Sequence, residues 1–192
     1  TVNDGAGKLQ YHVLVISDIT EQRQQRDRLE RQAHFDELTR LPNRARLMEM
    51  LSEAITAADA DGYLLTVCYL DLDRFKRIND IYGHLAGDAV LKDVAATLNE
   101  QLDSGMVLGR YGGEEFAILL PDTPFDGAMK LANDMRLAFE RLDLKKKSTG
   151  ESLGKITLSF GVAIYKENEA TEDFVNRADE ALYQSKKTGR NN

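Results

Sequence analysis

The chain has 192 residues, 42% hydrophobic and 30% charged, which excludes a disordered segment and suits one ordinary domain with a short appendage. Its 25 basic and 32 acidic residues leave a net charge of −7, which argues against nucleic acid as a partner and requires an anionic substrate to find local positive charge or bring a metal. One cysteine rules out a disulfide framework, and no apolar run approaches membrane-spanning length, so this segment is expected in the reducing cytoplasm without direct membrane contact, any anchor being left to regions upstream.

Residues 1–20 stand apart. Tyr11-His12-Val13-Leu14-Val15-Ile16 is strand-like and Ser17-Asp18-Ile19-Thr20 follows it. Residues 20–35 are polar, lack Gly and Pro, and predict a helix with Asp18 or Thr20 as N-cap. Ile19, Arg26, Leu29 and Ala33 fall near heptad spacing, which fits a solvated connector and a dimerising stalk equally. Asp36-Glu37-Leu38-Thr39 then leads through Pro42 into a helix with Leu47, Met50, Leu51 and Ile55 on one face, ended by Ala60-Asp61-Gly62.

Leu65 to Leu70 reads as a buried strand, with Cys68 as a small buried hydrophobe, and it runs into Asp71-Leu72-Asp73. Arg74 to Asp88 mixes cations, amides and glycines and reads as a loop suited to a phosphate and a base. A helix from about Gly87 carries Val90, Leu91, Val94, Ala95 and Leu98. Met106-Val107-Leu108 and Ala117 to Leu120 are apolar runs flanking Arg110-Tyr111-Gly112-Gly113-Glu114-Glu115-Phe116, a hairpin whose two glycines suit both central turn positions. Pro121-Asp122-Thr123-Pro124 stops its second strand.

A helix from about Phe125 to Leu142, a charged loop at Lys145 to Gly150, a strand from Ile156 to Ile164 and a final helix holding Phe174, Ala178 and Leu182 complete the chain. Strands alternating with amphipathic helices predict an α/β (α+β) sandwich, with a mixed, largely antiparallel sheet flanked by helices. Carboxylates at the end of an apolar strand, with two more at a hairpin where glutamates repel each other, point to oxygen ligands for a hard cation.

These stretches, in order, resemble the GGDEF family of diguanylate cyclases. The likeness runs from Asp36-Glu37-Leu38-Thr39-Arg40-Leu41-Pro42-Asn43-Arg44 to Ala178-Asp179-Glu180-Ala181-Leu182-Tyr183, with Lys186 and Gly189-Arg190-Asn191 after it. It implies a nucleotidyl-cyclase and polymerase-palm fold, and condensation of two GTP into cyclic di-GMP and two pyrophosphates by a homodimer. Residues 1–20 resemble the exit of a PAS sensor domain, which implies three parts: that remnant, a helical linker over 21–35 and the catalytic domain over 36–192.

Carried over residue by residue, the resemblance implies that Asp71, Glu114 and the Leu72 carbonyl hold Mg²⁺, with Mn²⁺ as the alternative ion. Glu114 would also receive or orient the 3′-hydroxyl proton, and Lys76 would stabilise the transferring phosphate. Arg74 and Phe75 would offer backbone N–H groups to the outer phosphates, with Lys186 and Arg190 on the terminal one. Lys186 and Arg190 also suit a basic helix end. Asn79 and Asp88 match guanine-reading positions, and His84 a substrate-contacting one. Glu115 would turn to the other face of the strand and give support.

Two departures stand out. Asp103 and Met106 occupy the places of the family's inhibitory Arg-x-x-Asp, so that product site is expected to be absent, and Arg40 replaces a usual glycine. The alternative function is a catalytically silent domain that binds GTP or cyclic di-GMP to regulate a partner. A cyclase of another nucleotide is disfavoured by Asn79 and Asp88.

Overall fold

The computed structural model describes residues 2–3, 9–11, 18–141 and 154–192. Most of the strand expected over Tyr11 to Ile16, and the loop at Lys145 to Gly150, lie outside the described residues. The chain divides into two units, Thr1–Gln32 and Ala33–Asn192. In the first, β1 (Val2–Asn3) and β2 (Leu9–Tyr11) pair antiparallel. Helix α1 (Thr20–His34) begins where the Asp18 carboxylate accepts the Thr20 N–H at 2.9 Å.

The second unit is built on four strands: β3 (Leu65–Leu72), β4 (Val107–Gly112), β5 (Glu115–Pro121) and β6 (Leu158–Ile164). Their order is β4-β5-β3-β6 and every pairing is antiparallel, so the expected mixed sheet has no parallel pair among the described residues. Every residue of β3 is buried, because helices cover both sheet faces. Leu65, Val67 and Tyr69 pack with Leu47 and Leu51 of α2 (Arg44–Asp61) and with Phe174, Ala178 and Leu182 of α6 (Thr171–Lys187). Cys68, Leu70 and Leu72 face the opposite layer of α3 (Phe75–Tyr82), α4 (His84–Asn99) and α5 (Phe125–Arg141). Strand alternation assigns each residue to its layer. Phe116, Phe139 and Phe174 are fully buried, each contributing about 1.5–3 kcal/mol by leaving water.

One close approach sets the height of α6 above the sheet. A Cβ on Gly161 would lie 2.2 Å from both the Ala178 carbonyl oxygen and the Leu182 nitrogen. Only glycine lets the helix descend this far.

Three local expectations are revised. Arg74 to Asp88 is not a loop but two helices around Gly83 (φ 83), and α4 starts at His84 rather than Gly87. Phe75 and Ile78, three residues apart, are buried, and Tyr82 packs on the same core. The hairpin turn is centred on Gly113 and Glu114, not on the two glycines: Gly112 pairs with Glu115, and only Gly113 has positive φ. Arg40 adopts the left-handed conformation itself, with φ 64, so the turn is retained without glycine. Around it, the Asp36 N–H donates to the Leu41 carbonyl at 2.8 Å.

Candidate active site

Alternation along β3 puts Asp71 on the α6 face, continuing the row of Leu65, Val67 and Tyr69. Lys186 lies one helical turn beyond Leu182, which packs on that face, and its Nζ sits 2.8 Å from Asp71 Oδ2. Glu115 is the direct register partner of Asp71 across β5 and lies on the same face, not the opposite one. The reason is the turn. Glu114 belongs to it, so strand alternation begins only at Glu115. The Leu72 N–H donates to the Glu114 carbonyl at 3.2 Å and ties that turn to the end of β3.

The electrostatics follow from this crowding. Burial pushes the Asp71 carboxyl above its ordinary value; the hydrogen bond and charge of Lys186 pull it back in part, and the charges of Glu115 and Asp73 raise it again. Burial also raises Glu114, with the Asp71 charge next in weight; Lys186 offsets part, and Glu115 adds to the rise. The Asp71 charge therefore bears on Glu114 in the turn beside it. Several carboxylates around one ammonium leave a field that favours a further cation.

A long-range ion pair steadies the turn. Arg110 Nη1 donates to both Asp36 oxygens at 3.0 and 3.1 Å, while its Nε and Nη2 donate to the Gly113 carbonyl at 3.0 and 2.6 Å. Asp36 also accepts the N–H and hydroxyl of Thr39 at 2.8 and 2.7 Å. Burial pushes the Asp36 carboxyl up, but the bonds from Thr39 and Arg110 outweigh it and hold the carboxyl below its usual range. A single guanidinium thus joins the segment before α2 to the residue next to Glu114.

On the opposite layer, Arg74 caps α3 in a left-handed conformation, with φ 60 and ψ 26, and no side chain caps the helix. The first α3 amides, next to Lys76, follow an αL residue, an arrangement that suits anions. Lys76 and His84 are exposed, whereas Asn79 and Asp88 are half-buried. Asn79 and α4 are in close contact: a Cβ on Gly87 would fall 2.0 Å from Asn79 Oδ1. Of the two positions expected to lack a product site, Met106 packs on the core and Asp103 is exposed.

Arg190 follows α6 with φ 64, its Nε 3.9 Å from Asp73 Oδ1. Arg190, Arg74, Arg77 and Lys155 line a cleft of about 420 Å³. The structure thus brings Asp71, Glu114, Glu115 and Lys186 together, and gathers Arg74 and Arg190 around that cleft. Sequence reading missed Asp36, Arg110 and the duties of Asp73. Arg110 meets Asp36 across 74 residues and Asp73 meets Asn191 across 118, so no local spacing announces these pairs.

A family model described as diguanylate cyclase, GGDEF domain, matches residues 33–192. The chain is 44% identical over 155 residues to diguanylate cyclase DgcP of Pseudomonas aeruginosa, covering 81% of this chain and 23% of that protein. It is 36% identical over 195 residues to the cyclic di-GMP phosphodiesterase PdeR of Escherichia coli, covering 98% of this chain and 28% of that protein. The chain therefore spans less than a third of the length of either. The solved coiled coil and GGDEF domain of DgcB from Caulobacter crescentus, in complex with c-di-GMP, superposes with a TM-score of 0.84 at 35% identity, covering 90% of this chain and 91% of that one.

Proposed function

The chain belongs to the family of diguanylate cyclase GGDEF domains, and on that premise we propose that it condenses two GTP molecules into cyclic di-GMP and two pyrophosphates at a homodimer interface. One observation carries this reading most: Asp71 at a strand end lies 2.8 Å from Lys186, and the Leu72 N–H ties the turn that bears Glu114 to that same strand end. Residues 1–20 are, in this reading, the tail of an upstream sensor domain and residues 21–35 its linker.

The donor set suits Mg²⁺ or Mn²⁺. Both ions prefer hard oxygens, and Mg²⁺ commonly takes one or two carboxylates and leaves the remaining positions to substrate phosphates and water. Asp71, Glu114 and the Leu72 carbonyl would hold the ion. When bound, the ion would neutralise charge on the phosphates and favour attack at the α-phosphorus.

The protein's own residues do the rest. The 3′-hydroxyl oxygen of one GTP forms a bond to the α-phosphorus of the other, pyrophosphate leaves, and the hydroxyl proton passes towards Glu114. Lys76 steadies the equatorial oxygens. Arg74 and Phe75 offer main-chain N–H groups to the β- and γ-phosphates, and Lys186 and Arg190 hold the terminal one. Asp88 accepts from the guanine ring N–H and 2-amino groups, Asn79 pairs with the ring edge, and His84 contacts the substrate. Glu115 supports the field at Asp71. Two domains must face each other, since each holds one GTP.

Incubation of purified protein with GTP and Mg²⁺ tests this. Cyclic di-GMP is expected to form at a rate that rises with protein concentration, and Glu114→Ala is expected to abolish it. Dimeric protein that binds GTP but yields no product would overturn the cyclase reading in favour of a regulatory domain.

A further inference from the structure

Asp73 follows Leu72 directly and stands two residues from Asp71, yet its carboxylate is engaged elsewhere. Its side chain is 2% exposed. Oδ1 accepts the Ser159 hydroxyl at 2.7 Å; Oδ2 accepts the Thr157 hydroxyl at 2.7 Å and the Asn191 main-chain N–H at 3.0 Å. The Asp73 N–H donates to the Thr157 carbonyl at 2.9 Å, fixing the residue to the strand side as well. Arg190 Nε also stands 3.9 Å from Oδ1, so the cation beside Asp73 is that guanidinium.

The contact to Asn191 is the unusual one. Gly189, Arg190 and Asn191 all have positive φ, at 133°, 64° and 51°. Three such residues in a row, two of them not glycine, cost about 1–3 kcal/mol for each non-glycine and persist only where surrounding contacts enforce them. The Arg190 N–H donates to the Ser185 carbonyl at 3.1 Å, and the Asn192 carbonyl accepts the Phe160 N–H at 2.8 Å and the Ser185 hydroxyl. Asp73 supplies the grip between these two, next to Arg190, and the return swings that guanidinium into the cleft shared with Arg74 at the start of α3.

We infer that Asp73 is a positioning residue: it clasps the left-handed return after α6 and so aims Arg190 at the outer phosphates of the nucleotide. This rests on the GTP reading above and assigns the Asp-Leu-Asp segment two separate duties. Asp71 faces the cation; Asp73 shapes the cationic wall.

Binding of a non-hydrolysable GTP analogue and of GMP tests the clasp, since only the former carries the outer phosphates. Asp73→Ala is expected to weaken the GTP analogue about tenfold while leaving GMP unchanged. Asp73→Asn should restore most of that loss, because its amide oxygen still takes the Asn191 N–H and its NH₂ can donate to Ser159. Thr157→Val, which removes one donor and keeps the strand, should produce a smaller shift of the same kind, about threefold; it also reads the clasp if Asp73→Ala folds poorly. In an Arg190→Ala background the Asp73→Ala penalty should largely vanish. If Asp73→Ala retains the wild-type preference for the GTP analogue over GMP, or loses both ligands equally, the inference falls and the cyclase reading stands. If wild-type protein itself shows no such preference, the GTP reading fails, and the clasp with it.

Discussion

Replacing Arg110 with alanine removes four hydrogen bonds at once. Two go to the Asp36 carboxylate and two to the Gly113 carbonyl, from a side chain 14% exposed onto one 24% exposed. Asp36 keeps its two bonds from Thr39, whereas the Gly113 carbonyl loses both donors. A charge-assisted hydrogen bond contributes about 1.5–3 kcal/mol when buried; partial exposure of this pair brings the combined loss to about 2–3 kcal/mol. For a domain of this size that is a fall in Tm of about 5–10 °C. Arg110→Lys keeps the charge but not the fork, and should recover about half.

The pH dependence has a definite sign. The Asp36 carboxyl lies below its unfolded value in the fold, so its contribution is present above the unfolded pKa and is lost as pH falls through the folded one. The difference in Tm between wild type and Arg110→Ala should therefore shrink in acid. Thermal unfolding followed by circular dichroism across pH measures this, and turnover with GTP gives a second readout, because the loosened turn carries Glu114. A Tm within about 1 °C of wild type at neutral pH, or a gap that widens in acid, would refute the reasoning.

Three further outcomes are expected. Asp71 and Glu114 both have raised values, so the native state holds their protons more tightly; the stability they contribute is full below the ordinary carboxylate range and lost as pH rises through the raised values. Glu114→Gln should accordingly be more stable than wild type at neutral pH in EDTA, with the gap closing in acid, although activity is lost. Gly87→Ala places a methyl group 2.0 Å from Asn79 Oδ1 and 3.0 Å from the Phe75 ring, so Asn79 must rotate and discrimination of GTP from ATP should drop about tenfold in competition binding. Arg40→Gly relieves a left-handed arginine (φ 64) and should raise stability by about 1 kcal/mol in urea unfolding.

The regular elements are legible because burial writes a period into them. The apolar run from Leu65 to Leu70 announces a strand covered on both faces, and Asp71 stands out as the first polar residue in line with Tyr69. Helix α3 is harder to read. Only Phe75, Ile78 and Tyr82 mark its inner side, and its other positions are polar or exposed, which mimics a loop. The family likeness supplies the roles proposed for Asn79, Asp88 and Lys76, which no period implies. The braces are invisible for another reason: Arg110 meets Asp36, and Asp73 meets Thr157, Ser159 and Asn191, only after the sheet has closed. Glu115 lies on the Asp71 face because strand alternation starts at Glu115 itself, Glu114 being a turn residue, and no local sequence signal marks that boundary.

Helices on both sides of β3 make its reading frame a shared property of folding and chemistry. Slipping the strand by one position would drive Asp71 into the place of Leu70, in the layer of Val94 and Met135, and lift Leu72 towards Lys186. A point substitution can therefore silence this protein and leave a well-formed shell, but a one-residue deletion within β3 cannot. Silent descendants of such a domain should arise by exchange of side chains and almost never by a change of length in that strand.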